Sequence, residues 1–162
     1  MEAHGRPAVT YRTKLATLCA VLNDAGVHYV LVGAQAGILW GHVRATRDVD
    51  VLIEPTVENA ERGIGALEGL GFVLARDCSA ADLVRRPVTV LTDVFYRIDV
   101  LTVAWSVHYA EARAQARMFD VEGVRIPTAA LEHLIQSKRT GRLQDAADIE
   151  ALEEIRRLRP EA

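Results

Sequence analysis

The chain has 162 residues, half of them hydrophobic and a quarter charged, which supports one folded domain over residues 1–162 and excludes wholesale disorder. A formal net charge of −3 and a pI near 5.9 exclude a protein that coats nucleic acid by bulk charge, and leave only a local basic patch for such contacts. No apolar run approaches the ~20 residues that span a bilayer, Met1 to Pro7 is polar, and Cys19 and Cys78 lack metal-ligand spacing, so a cytoplasmic chain with reduced thiols and no membrane partner is expected.

Leu15, Leu18, Cys19 and Leu22 recur at helical spacing, and the pattern stops at Asn23-Asp24-Ala25-Gly26. His28 to Gly33 is a short β-branched run that ends on glycine, and Ala34 to Trp40 predicts a short helix leaving it. Gly41 to Asp48 is a polar connection carrying Arg44, Thr46 and Arg47. Val49 to Ile53 predicts a second strand, closed by Glu54-Pro55-Thr56. Thr56 suits a helix N-cap, with Glu58 in the first turn and Val57, Ala60, Ile64 and Leu67 as one apolar stripe ending at Gly69 to Gly71.

Phe72 to Ala75 predicts a strand, and Ser79 to Arg86 a helix within the weakly patterned stretch 77–87. Val88 to Leu91 and Tyr96 to Val103 predict two strands joined around Thr92-Asp93. Trp105 to Met118 predicts a helix, and Phe119 to Ile126 a hairpin turning at Glu122-Gly123. Pro127-Thr128 predicts the start of a helix through Lys138, and Asp145 to Leu158 a last one, with Ile149, Leu152 and Ile155 on one face. Trp40 and Trp105 are expected in the core. The order predicts an α/β (α+β) domain: a mixed sheet flanked by helices over about 28–126, then a helical end over about 128–158.

Chemistry concentrates in Gly33-Ala34-Gln35 and in Thr46-Arg47-Asp48-Val49-Asp50. A glycine between strand and helix lets the backbone approach a ligand, and the helix N-terminus offers free N–H groups to phosphate. Asp48 and Asp50 are two apart on a predicted strand, so both side chains leave one face. Paired carboxylates repel unless a cation lies between them, and hard oxygen donors suit Mg²⁺. Asp99 interrupts an apolar strand, where an unpaired charge is costly, and on a neighbouring strand it completes a three-carboxylate set. Asp93 competes for that position but falls where a turn places a solvated acid. The histidines, His4, His28, His42, His108 and His133, show no paired spacing for zinc.

These residues resemble the signature of the nucleotidyltransferase fold, the DNA polymerase β-like superfamily: a glycine turn, an Asp-x-Asp strand and a third acid. The block Arg44-Ala45-Thr46-Arg47-Asp48-Val49-Asp50 is similar to that of small bacterial and archaeal members, including AbiEii-type toxins of abortive-infection systems. Ile135-Gln136-Ser137-Lys138 with Arg142, Asp145 and Asp148 resembles the Lys…Arg…Asp-x-x-Asp pattern of the same group. Members commonly carry Gly-Gly or Gly-Ser in the turn, whereas this chain has Gly33-Ala34-Gln35.

The resemblance implies a nucleotidyltransferase that uses an NTP and two Mg²⁺ ions held by Asp48, Asp50 and Asp99, with Asp99 helping to deprotonate the acceptor. Gly33, Ala34 and Gln35 would line the triphosphate, Lys138 and Arg142 would neutralise it from one helix face, and Arg47 would touch phosphate. Arg44, Thr46, Asp145 and Asp148 would support the site. RNA or tRNA is the acceptor that the toxin-like members suggest, together with a cognate antitoxin-like partner. A small molecule such as a lincosamide or aminoglycoside is the alternative, as is a non-catalytic nucleotide- or partner-binding role.

Overall fold

The computed structural model describes residues 12–74 and 78–160. Helix α1 (Lys14–Asp24) starts where the Thr13 side chain accepts a hydrogen bond from the Ala16 N–H, and it buries Leu15, Leu18, Cys19 and Leu22. Strand β1 (Tyr29–Val32) is buried throughout and runs into α2 (Gly33–Trp40). Strand β2 (Asp48–Ile53) lies antiparallel to β1, with Tyr29 opposite Ile53 and Val32 opposite Asp50. Helix α3 (Val57–Glu68) is capped by Thr56, as its sequence predicts. Its Asn59 is fully buried and hydrogen-bonds the His28 N–H and both the His28 and Glu54 carbonyls, tying the helix to the β1–β2 pair. Val57 departs from the predicted stripe: it lies in the first turn and faces solvent.

Val73 makes an isolated bridge to Thr92 where a longer strand is expected, and Ala75 lies outside the described residues. Helix α4 (Ala80–Arg85) begins at a reciprocal cap between Ser79 and Asp82. Strands β3 (Val88–Thr92) and β4 (Arg97–Leu101) follow, antiparallel to each other. β4 runs parallel to β2 with Asp48 opposite Arg97 and Asp50 opposite Asp99.

Residues 105–118 are not one helix. Val103–Ala104 (β5) and Val107–His108 (β6) form a small hairpin turning at Trp105, which holds φ +59. Helix α5 covers only Tyr109–Ala114, starting where Glu111 accepts a hydrogen bond from the His108 N–H. The alanines of 110–116 favour a helix, but no glycine, asparagine or proline marks the turn before it. Trp105 is accordingly 62% exposed, while Trp40 is buried and donates its indole N–H to the Ala129 carbonyl at 2.9 Å. Strands β7 (Arg117–Val121) and β8 (Val124–Thr128) form the predicted hairpin at Glu122-Gly123, both with positive φ. Pro127-Thr128 is the end of β8 and not a helix start: Pro127 faces Met118 in the antiparallel pair, and pairing with β1 begins at Thr128. Helix α6 spans Leu131–Ser137 and α7 spans Leu143–Leu158.

The six-stranded mixed sheet has the order β3-β4-β2-β1-β8-β7. Side-chain alternation gives it two different faces. Val51, Ile53, Leu91 and Val100 pack with Leu22, Ala60, Leu67 and Leu83 from α1, α3 and α4. Asp48, Asp50 and Asp99 leave the opposite face, beneath the β5–β6 turn and the α6–α7 connection. Among the described residues no helix is long and apolar enough to cross a membrane.

Candidate active site

Gly33 sets the back of the site. Its φ is +68, and a Cβ placed on it would overlap Asp50 Oδ2 and stand 2.9 Å from Asp50 Cγ and 3.0 Å from Asp50 Cβ. The bare glycine thus lets the Asp50 side chain lie against the first turn of α2, whose N–H groups have no partner inside the helix. Ala34 does not share the positive φ, so alanine in the turn strains no backbone.

The floor is acidic. Asp48 is exposed at the start of β2, and Asp50 is half-buried two residues on. Burial raises the Asp50 pKa first, and the neighbouring Asp99 and Asp48 charges raise it further; Lys138 pulls the other way, leaving it at about 7. Asp99 is held by its own strand neighbour: Arg97 donates Nε to Oδ1 at 2.6 Å and Nη2 to Oδ2 at 3.1 Å. This two-pronged clasp draws one carboxylate of the trio toward a guanidinium. Among the described residues no three carboxylate, imidazole or thiolate groups stand together as a ready metal cage. Asp93 is spent on its turn and on Lys14: it accepts the Phe95 and Tyr96 N–H groups and pairs with Lys14 at 3.1 Å.

The wall is basic, and two buried acids organise it. Asp148 accepts from Arg44 at 2.7 Å, Lys138 at 3.0 Å, His42 at 3.1 Å and Gln144 at 3.2 Å. Asp145 accepts from Arg142 Nε at 2.6 Å, from Lys138 at 3.4 Å and from the Thr140 hydroxyl. Lys138 and Arg142 do not share a helix face. Lys138 caps the end of α6, Arg142 caps the start of α7, and Gly141 with φ +86 breaks the chain between them. They meet through Asp145 instead of through i, i+4 spacing.

Gly33, Ala34, Arg44, Thr46, Asp48, Asp50, Asp99, Lys138, Arg142 and Asp145 all line one cavity of about 530 Å³. Asp148 stands behind its wall as the anchor of Lys138 and Arg44. Gln35 and Arg47, both expected on phosphate, line a different concavity of about 720 Å³ with Lys14, Phe95 and Tyr96. For Arg47 the reason is strand alternation next to Asp48. Arg97, His42, Thr140 and Trp105 join the site without having been anticipated; for Arg97 the signal was its i, i+2 spacing from Asp99 on one strand face.

Burial pushes the Asp148 carboxyl up, but hydrogen bonds from Lys138 and His42, with the charges of Lys138 and Arg44, outweigh it and hold it at about 2. An unfolded-chain aspartate titrates near 3.9. The stabilisation is therefore present above about pH 4 and lost as pH falls toward 2. Asp148→Asn is expected to lower stability at pH 7 by about 2 kcal/mol, or ~4–8 °C in Tm. Thermal melts across pH 2–7 check this: the gap to wild type should close below pH 4, and a gap that persists at pH 2 would contradict it.

No family model matches the sequence, and no curated protein is similar to it by sequence. Solved structures are similar in fold. A lincosamide antibiotic adenylyltransferase, LnuA, in a lincomycin-bound structure superposes with TM-score 0.63 at 15% identity, over 90% of this chain and 99% of that one. The antibiotic-resistance factor ANT(2'')-Ia, in complex with adenylyl-2''-tobramycin, gives 0.58 at 13%, over 90% and 92%. An antigenic nucleotidyltransferase-like protein from Paracoccidioides brasiliensis gives 0.61 at 18%, over 88% and 73%. The chain has the nucleotidyltransferase fold.

Proposed function

We propose that this chain transfers a nucleoside monophosphate from an NTP to an acceptor hydroxyl in an Mg²⁺-dependent reaction, releasing pyrophosphate. One observation carries the reading: a single cavity joins an acidic floor of Asp48, Asp50 and Asp99 to a basic wall of Lys138, Arg44 and Arg142, across a glycine-opened helix N-terminus. Among the described residues Asp48 and Asp50 make no ion pair, which the metal of a metal–triphosphate complex would supply, while Lys138, Arg44 and Arg142, held in place by Asp145 and Asp148, line the cavity as donors for its phosphates.

The residues fit Mg²⁺ as donors. They are hard oxygens, Asp50 is raised by burial and then by the carboxylates beside it, and Mg²⁺ commonly takes only one or two protein carboxylates, with phosphate oxygens and water completing its shell. Asp48 and Asp50 would hold the first ion; Asp99, once Arg97 lets go, would join a second. Bound there, Mg²⁺ supplies Lewis-acid polarisation of the α-phosphate and a lowered acceptor pKa. The free N–H groups of the α2 first turn, with Lys138 and Arg142, take the β- and γ-phosphates. Asp99 receives the acceptor proton, a bond forms from the acceptor oxygen to the α-phosphorus, and the bond to the bridging oxygen breaks. Pyrophosphate departs along the basic wall.

For the acceptor, a small hydroxyl compound is supported by the cavity volume, which falls in the small-ligand range of roughly 300–1,000 Å³. The likeness in fold to an antibiotic adenylyltransferase and to an antibiotic-resistance factor bound to adenylyl-2''-tobramycin, each over 90% of this chain, and the net charge of −3 point the same way. An RNA acceptor, with a toxin role and a partner protein, is the competing outcome. The deciding experiment incubates protein and Mg²⁺ with each α-labelled NTP separately, alongside lincosamides, aminoglycosides or total RNA, with Asp48→Ala/Asp50→Ala as control. Label on a small molecule with wild type only is expected. Label on RNA would move the acceptor assignment, and no transfer to any acceptor would sink the catalytic reading.

A further inference from the structure

Trp105 sits at the tip of the β5–β6 hairpin with φ +59, a conformation that bulky side chains rarely adopt. Its indole is 62% exposed, while its neighbours Ala104 and Val107 are buried at 4% and 1%. Folding alone favours glycine or asparagine at such a turn and gives no reason to display an indole there. The turn is nevertheless fastened: Gln136 on α6 donates to the Ser106 hydroxyl at 3.0 Å, two residues before Lys138. Trp105 and Lys138 therefore look into the same cavity from adjoining parts of its wall. Strain retained to present an exposed ring beside a polyphosphate-type wall is a mark of ligand contact.

We propose that Trp105 is the stacking platform for the nucleobase of the bound nucleoside triphosphate. The inference rests on the nucleotidyl-transfer reading of the cavity. A ligand that satisfies Lys138 and Trp105 together carries polyphosphate at one end and a flat heterocycle at the other. Every base has a π face, so stacking on an indole accepts all four and sets affinity more than identity.

The chain has two tryptophans, and Trp40 is buried against Ala129 and Phe119, so emission from the exposed indole reports on Trp105. With Mg²⁺ and no acceptor, ATP is expected to quench that emission. Trp105→Phe should bind ATP within about threefold of wild type, while Trp105→Gly, which relaxes the turn, should bind roughly tenfold or more weakly. Inorganic tripolyphosphate, followed by calorimetry, should bind wild type and both variants alike. If ATP binds without quenching, or binds Trp105→Gly as tightly as wild type, the stacking role is wrong and the nucleotide site stands. Equal loss of tripolyphosphate in Trp105→Gly would show a general defect and also overturn the role. If neither ATP nor tripolyphosphate binds wild type, the nucleotidyl-transfer reading falls, and this inference with it.

Discussion

Asp50→Asn is expected to cut nucleotidyl transfer at least ~10³-fold and, at pH 8, to raise the melting temperature of the metal-free protein. Both effects come from one placement. Burial first, then Asp99 and Asp48, raise the Asp50 pKa to about 7, so its charged form is disfavoured in the fold. A raised carboxyl contributes fully below its unfolded value near 3.9, and that contribution is lost as pH climbs through 7. The amide of Asn is isosteric and uncharged, so it removes a penalty on the order of 4 kcal/mol at pH 8, worth ~8–16 °C in Tm. Below about pH 4 the two proteins should melt alike, and the gap should open as pH climbs from about 4 to 7. Mg²⁺ should raise wild-type Tm at pH 8, by binding the folded state, and leave Asp50→Asn nearly unmoved. On the proposed reading, the rate loss follows from removing a hard anionic donor to Mg²⁺, which would be worth several kcal/mol of transition-state charge stabilisation. Thermal melts at pH 4 and 8, those at pH 8 with and without Mg²⁺, beside the labelled-transfer assay, test both halves. A variant that transfers normally, or melts lower than wild type at pH 8, would remove Asp50 from the centre of the site.

The same opposition explains which parts of the site were legible in the sequence. Asp-x-Asp opening an apolar run reports a strand with two acids on one face, and Asp99 inside another apolar run reports a second strand needing a partner. Their pairing in register, Asp50 beside Asp99, is tertiary, yet a single buried face leaves few alternatives. Local signals failed where the chain breaks a rule without advertising it. Residues 105–118 have helical composition, but Trp105 turns with positive φ at a position where sequence leads one to expect glycine. Pro127 suits a helix N-terminus equally well, and its true place is fixed by Met118 across a hairpin. Lys138 and Arg142 have helical spacing, but Gly141 separates two helices between them. Arg47 and Gln35 belong to another surface; alternation beside Asp48 could have shown this for Arg47. The basic wall was least legible because Asp148 draws in His42 and Arg44 from more than a hundred residues away, a contact that no local spacing reports.

Gly33→Ala tests whether the placement of Asp50 depends on an absent side chain. Two penalties add at this position. The first is conformational: alanine at φ +68 costs about 1–2 kcal/mol. The second is steric, because the new Cβ overlaps Asp50 Oδ2. Rotating the carboxylate is not enough, since Asp50 Cβ itself is only 3.0 Å away and β2 must give. Overpacking of this type costs about 1–3 kcal/mol, for a total near 3 kcal/mol, or ~6–12 °C in Tm. Gly26→Ala isolates the first penalty: its φ is +69, and nothing lies within 4 Å of its added Cβ. The Tm loss at Gly33 in excess of that at Gly26 therefore measures contact with Asp50. Activity should divide the two more sharply. Gly26→Ala should transfer at the wild-type rate below its melting range, whereas Gly33→Ala should lose about 100-fold, the scale on which a 1 Å misplacement of a reacting group acts. Equal Tm losses with retained transfer in both variants would mean that Asp50 can leave Gly33 at no cost. The proposed Mg²⁺ site would then have to rest on Asp48 and Asp99 without Asp50.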